Sequence, residues 1–219
     1  MKSILAIFLI IATNSYAQKD SLQDCKTSIK ISPLSIINLY DGPCLKLGVE
    51  TKLIKNIAFY AECGGYIPVG YNHWWWKKEI QGFQFKTEIK AYLNNQGTTS
   101  GNYLSIEYYY KNENFGFWAT IKKDTAKNLQ DYHLWKESSA FNLKFGNLSV
   151  KKGGKIIVEY FVGAGVWLNN GRDNLTDTER NNIVIGEGQG GLAAALIRAV
   201  GQQTWLSVTA GLKIGLRTK

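Results

Sequence analysis

The chain has 219 residues, of which 45% are hydrophobic, 13% aromatic and 20% charged, with a formal net charge of +9. That length suits one domain or a small pair, the apolar and aromatic content excludes a wholly disordered chain, and three cysteines are too few to staple a mini-protein. Its 7 Trp, 12 Tyr and 9 Phe stand out against a mildly negative mean hydropathy of −0.19.

Met1-Lys2 is a short basic start, Ile4 to Ala12 is almost wholly apolar, and Ser15-Tyr16-Ala17 places small residues at a cleavage site before Gln18. That order is the grammar of a secretory signal peptide over residues 1–17. The apolar run is about half the ~20 residues of a spanning helix, so it does not read as an anchor. Leu22-Gln23-Asp24 before Cys25 are not the small residues of a lipoprotein signal. Residues 18–27 then read as a short periplasmic segment ahead of one domain over 28–219. No later stretch approaches a membrane helix, so residence in a membrane would have to be by strands.

From residue 29 onwards the pattern is strand, turn, strand. Leu45, Leu47 and Val49 alternate with Lys46, Gly48 and Glu50. Phe83, Phe85 and Ile89 alternate with Gln84, Lys86 and Glu88. Leu206, Val208, Ala210, Leu212, Ile214 and Leu216 alternate with Ser207, Thr209, Gly211, Lys213, Gly215 and Arg217. Period two is the signature of a two-faced strand. Eight such segments are expected near 28–40, 44–54, 57–68, 82–94, 102–122, 136–150, 155–168 and 204–217. A ten-strand count follows if Lys111-Asn112-Glu113-Asn114 is a turn inside the fifth and 186–200 forms another. The even-numbered links are short to moderate, at Lys55-Asn56, Asn95 to Gly101 and Lys151 to Gly154. The third, fifth and seventh, at 69–81, 123–135 and 169–203, are long, and the first, around Asp41-Gly42-Pro43, is short. Short turns at one end and long loops at the other are the habit of outer-membrane barrels. The expected fold is all-β: an antiparallel up-and-down transmembrane β-barrel.

Alternation alone fits a soluble lipocalin-like barrel as well. The apolar runs, however, are near the ~9–11 residues of a tilted spanning strand. Aromatics also gather toward proposed strand ends: Trp74, Trp75, Trp76, Trp118, Trp135, Trp167 and Trp205 are expected as membrane-interface residues. The polar face carries Glu50, Glu62, Glu88, Glu107 and Glu159, with Lys86, Lys90, Lys144 and Lys213 among its lysines. In a narrow eight-stranded barrel these would line the lumen and pair, because an unpaired buried charge is strongly unfavourable. A proton or ion path is the functional alternative for the same carboxylates.

The segment Lys155-Ile-Ile-Val-Glu-Tyr-Phe-Val-Gly-Ala-Gly-Val-Trp167 and the ending Ala210-Gly-Leu-Lys-Ile-Gly-Leu216 resemble the small outer-membrane β-barrel proteins of the OmpA/OmpX-like eight-stranded class. The chain is most similar to uncharacterised barrels of that class with a signal peptide and no added domain. The resemblance implies a location in the cell outer membrane, with outer-membrane lipids, lipopolysaccharide and the barrel assembly machinery as partners. One departure is the ending Arg217-Thr218-Lys219, where such barrels usually finish on an aromatic residue.

His73 and His133 are 60 positions apart and lack nearby Cys or paired carboxylates, a poor set for zinc; no metal or cofactor is expected. A lipid-modifying hydrolase would have His133 and Ser138 as its only visible candidates. Cys63 should face about residue 48 rather than Cys44, against a disulfide. Basic residues sit in turns and on the polar face rather than as a stripe interleaved with aromatics, so nucleic acid is not an expected partner. Thr176-Asp-Thr-Glu179 has the form of a helix capping box. The expected role is structural or surface-binding, with a membrane enzyme and a secreted lipocalin-like carrier as alternatives.

Overall fold

Strand pairing runs without a break around the molecule. The computed structural model describes residues 27–36, 43–67, 78–93, 99–123, 126–151, 155–181, 183–184 and 200–218. Its strands are β1 (Thr27–Ile31), β2 (Cys44–Ile54), β3 (Ile57–Tyr66), β4 (Lys78–Tyr92), β5 (Gly101–Lys123), β6 (Ala126–Val150), β7 (Ile156–Asp173), β8 (Ile183–Val184) and β9 (Gly201–Thr218), with one short helix, α1 (Asp177–Asn181). The order β4-β3-β2-β1-β9-β7-β6-β5 is closed by β4 on β5, and every pairing is antiparallel. Eight strands therefore close a ring, and two-residue β8 is appended to Thr120 and Ile121 of β5.

The register fixes the shape of that ring. Starting at Ile29 and crossing strand by strand through Val49, Ala61, Thr87, Tyr108, Phe141 and Val166, the path reaches Leu206. Ile29 itself pairs with Leu216, ten positions further along β9. A stagger of ten residues over eight strands, with ~3.3 Å per residue and ~4.8 Å between strands, tilts the strands by about 40°. The stretch from Leu206 to Leu216 then covers about 25 Å along the barrel axis, the height of a membrane barrel's apolar band.

Parity decides which side chains enter. Ser28 and Lys30, Glu50, Tyr60 and Glu62, Gln84 to Tyr92 at even positions, Tyr103 to Phe115 at odd ones, Leu134 to Lys144 at even ones, Ile157 to Phe161 and Ser207 to Lys213 at odd ones all face inward, while the intervening apolar residues face out. Leu206 is 80% exposed, Val208 78% and Leu143 68%. Buried side chains are more often polar or charged than apolar. Three rings lie flat across glycines on the inner wall, since a Cβ on Gly48, Gly146 or Gly211 would collide with Tyr60, Tyr103 or Phe161.

Three expectations are corrected. The fifth link is not a long loop over 123–135. β5 and β6 stay paired to Lys123 and Ala126, and only 124–125 separate them. Beyond Gly116 on β5 and Leu134 on β6 the pairings with β4 and β7 end, and the hairpin continues with β8 beside β5 at Thr120 and Ile121. Residues 126–133 do not alternate between apolar and polar, so the sequence pattern marks β6 only from about residue 136. Lys111 to Asn114 is not a turn, because β5 is continuous there and its Lys111 and Glu113 keep the inward parity. The first link is not short: β1 ends at Ile31 and β2 begins at Cys44, with a 3-10 turn at Pro33–Ser35 between them. The expected signal peptide over 1–17, residues 18–26, Trp74 to Trp76, His73 and 185–199 lie outside the described residues.

Candidate functional site: an ion-paired lumen

The inward polar face converges on one network. Lys30 on β1 sends its Nζ to Glu50 Oε2 at 2.7 Å and to Glu159 Oε2 at 2.5 Å. Lys90 on β4 bridges the same two carboxylates at 2.7 and 2.6 Å, completing a square of two cations and two anions. Lys213 lies 3.7 Å from Glu159 and 3.3 Å from Glu88. Lys144 joins Glu88 to Glu107, both at 2.9 Å. Lys86 then reaches Glu107 at 3.9 Å and Glu62 at 3.7 Å. Five lysines thus meet five glutamates, contributed by β1, β2, β3, β4, β5, β6, β7 and β9.

Neutral donors occupy lone pairs that the lysines leave. Tyr92 Oη donates to Glu50 Oε1 at 2.8 Å, Tyr103 Oη to Glu159 Oε1 at 2.6 Å and Tyr60 Oη to Glu62 Oε2 at 2.7 Å. Ser105 Oγ donates to Glu88 Oε1 at 2.6 Å, and Asn142 Nδ2 to Glu107 Oε1 at 3.0 Å. The ammoniums also sit over rings, with Lys213 Nζ 3.8 Å from the Tyr60 centroid and Lys144 Nζ 3.9 Å from that of Phe161. Burial penalises each ion, and the pairing with added hydrogen bonds is what offsets it.

Apolar clusters lie on both sides of the network. Toward the short turns, Ala58, Tyr92, Tyr103, Leu148, Ile157 and Phe161 pack together; toward the long loops, Ile80, Phe115, Leu134 and Leu175 do so, with Tyr66 and Val200 against them. Between the network and the upper cluster sit Tyr109, Lys111, Glu113, Ser138, Trp167 and Asn169. At the base, Arg217 donates to the Thr99 carbonyl at 3.1 Å, tying the last strand to the β4–β5 connection.

All nine charged residues expected in the lumen, Glu50, Glu62, Lys86, Glu88, Lys90, Glu107, Lys144, Glu159 and Lys213, are brought into this one network. Lys30 was overlooked, although Ile29 and Ile31 flank it with the right alternation. Alternation puts Tyr92 on the polar face with Lys86, Glu88 and Lys90, whereas Tyr60 and Tyr103 were overlooked as partners of the carboxylates.

The interface aromatics fare differently. Trp135 faces outward, is 40% exposed, and has the His133 ring 6.1 Å away. Trp167 is not an interface residue. It shares the parity of Glu159, points into the lumen, donates to Asn169 Oδ1, and lies beneath Lys111 Nζ at 5.3 Å. Trp205 pairs with Trp167 across β7 and β9 and has the inward parity of Ser207, yet at the mouth it is 51% exposed. Trp118 lies in β5 opposite Asp131.

His133 is in strand β6 rather than a loop, and it is exposed. Ser138 is on the opposite face of the same strand, donating to Asn169 Oδ1 at 2.6 Å inside the barrel. The structure does not bring these two together. Cys44 is buried and Cys63 exposed, with Cys63 opposite Leu47 and no disulfide between the two. Among the described residues no group of His, Cys, Asp and Glu is placed to hold a metal ion. The capping box does form: Thr176 Oγ1 accepts from the Glu179 amide, and Glu179 Oε2 accepts from the Thr176 amide. Comparison with known proteins finds no family model, no curated protein and no solved structure that matches this chain.

Proposed function

We propose that this chain is a bacterial outer-membrane β-barrel with a structural or surface-binding role, a lumen filled by side chains, and loops that meet lipid, lipopolysaccharide or a surface partner. The observation that carries this reading is the inverted burial: ionised side chains inside, leucine, isoleucine, valine and phenylalanine outside. Each such outward side chain forgoes about 1.5–3 kcal/mol when it stays in water. Over a whole belt the cost is tens of kcal/mol, beyond the ~5–15 kcal/mol by which folded domains are stable. In hydrocarbon that cost vanishes, and a closed ring leaves no strand edge unpaired. The belt height of about 25 Å agrees with the same solvent.

A carrier for apolar ligands would need an apolar interior, and this interior is charged and cross-linked. A hydrolase would need its nucleophile and base on one face, and Ser138 and His133 are on two. The ion-pair ladder, flanked by apolar clusters, favours a structural lumen over a conducting one. Export and assembly by the barrel machinery belong to the same proposal. Unboiled gel electrophoresis of the outer-membrane fraction tests it: a faster-migrating folded band that shifts on boiling is expected, whereas recovery in the periplasmic extract without detergent would overturn it.

A further inference from the structure

One outward surface does not continue the apolar belt. Along β5, β6 and β7 the belt ends at the row Tyr110, Ser139 and Leu168. The next row on the same face is Asn112, Glu137 and Asn170, and the one after it is Asn114, Trp135 and Arg172. There the wall is indented by a concavity of about 220 Å³, lined by Asn112, Trp135, Lys136, Glu137, Asn170 and Arg172. Glu137 and Arg172 are diagonal neighbours across the β6–β7 pair, both exposed, and no ion pair joins them.

We propose that this concavity binds the headgroup of a phospholipid that carries an ammonium next to its phosphate, as a phosphoethanolamine headgroup does. The reading rests on the membrane location proposed above. Arg172 offers a planar fork of donors suited to phosphate oxygens, and Asn112 and Asn170 add amide donors beside it. Glu137 supplies the carboxylate for the ammonium, and the indole of Trp135 offers a face for the same cation. An arginine and a carboxylate that stand side by side on a strand pair without joining each other match a zwitterion of headgroup size better than a simple anion. Phe83 stands beside Asn112 across β4 and β5, its ring centroid 5.7 Å from that of Tyr110 one row lower, and Tyr108 against Phe141 at 5.1 Å continues this aromatic wall downward for the acyl chains. The occupant is therefore a lipid and not a free phosphate ester.

The test is native mass spectrometry of the full chain released from nanodiscs holding equal parts of phosphatidylethanolamine, phosphatidylcholine and phosphatidylglycerol. Retention of phosphatidylethanolamine on the order of tenfold above the other two is expected, the low end of the effect of one charge-assisted contact. Arg172→Ala and Glu137→Gln, both at exposed positions, should each abolish that preference while the folded band on unboiled gels persists. Equal retention of the three lipids would overturn the site and leave the barrel in its membrane. A preference untouched by both substitutions would overturn it too, as would binding of soluble O-phosphoethanolamine at the same strength. A chain that never enters the nanodisc would instead overturn the membrane reading beneath it.

Discussion

Lys30 and Glu159 stand 129 positions apart, and their side chains meet at 2.5 Å inside the barrel. The contact joins the first strand to the seventh, across β9, which pairs with both. Glu159 also accepts from Lys90 and Tyr103 and lies near Lys213, so it is the anion on which the lower network turns.

Replacing Glu159 with Gln should therefore cost about 3–5 kcal/mol, because two or more buried ammoniums lose a counter-charge. Urea unfolding of the refolded barrel in detergent would read this as a lower midpoint with an unchanged slope. The double variant Glu159→Gln, Lys30→Met removes one stranded cation and should recover part of the loss. A single-variant loss below about 1 kcal/mol would mean that the network is dispensable.

The same burial should make the network insensitive to salt. Screening acts on exposed charges separated by water and much less on buried pairs. Raising sodium chloride from about 0.1 to 1 M, which shortens the Debye length from about 10 to 3 Å, should shift the unfolding midpoint little. A marked fall would indicate that water reaches the lumen.

Gly146 faces the ring of Tyr103 directly across β5 and β6, and an added Cβ would stand 2.5 Å from the Tyr103 hydroxyl oxygen. Gly146→Ala should destabilise by about 1–3 kcal/mol, the usual cost of overpacking. Combined with Tyr103→Leu it should show strong non-additivity in a double-mutant cycle, since the clash has no partner left. Additive losses would mean that the glycine serves the backbone and not the ring.

Ser138 is engaged by Asn169 on the lumen side of β6, and His133 lies on the other side. Neither Ser138→Ala nor His133→Ala should change the lipopolysaccharide of the host, measured by mass spectrometry of extracted lipid A. Loss of a modification in both variants would restore the enzymatic reading.

Much of this lumen is legible as alternation. In β2, β4 and β9 the apolar and charged residues trade places every step, so the parity of Glu50, Glu88 and Lys213 follows from their neighbours. Legibility fails where solvent changes along a strand. Residues 126–133 of β6 lie beyond the pairing with β7, no apolar alternation marks them, and only their pairing with β5 makes them strand. Lys111 and Glu113, polar and next to Asn112 and Asn114, imitate a turn while continuing the inward face of Tyr109. Trp167 illustrates the opposite error. Its chemistry suggests an interface, but counting from Glu159 in steps of two places it inside. Which residue type suits a place is a weaker guide than the face its position dictates.

The claim on which everything else depends is that the outer face of the ring meets lipid and the inner face does not. Nitroxide labels placed one at a time along Leu206 to Leu216, in a chain freed of its cysteines and reconstituted in bilayers, measure this directly. The inverted barrel requires collision with membrane-dissolved oxygen to peak at the even positions and fall at Ser207, Thr209, Gly211, Lys213 and Gly215. Even positions that instead collide with a water-soluble relaxation agent would contradict it.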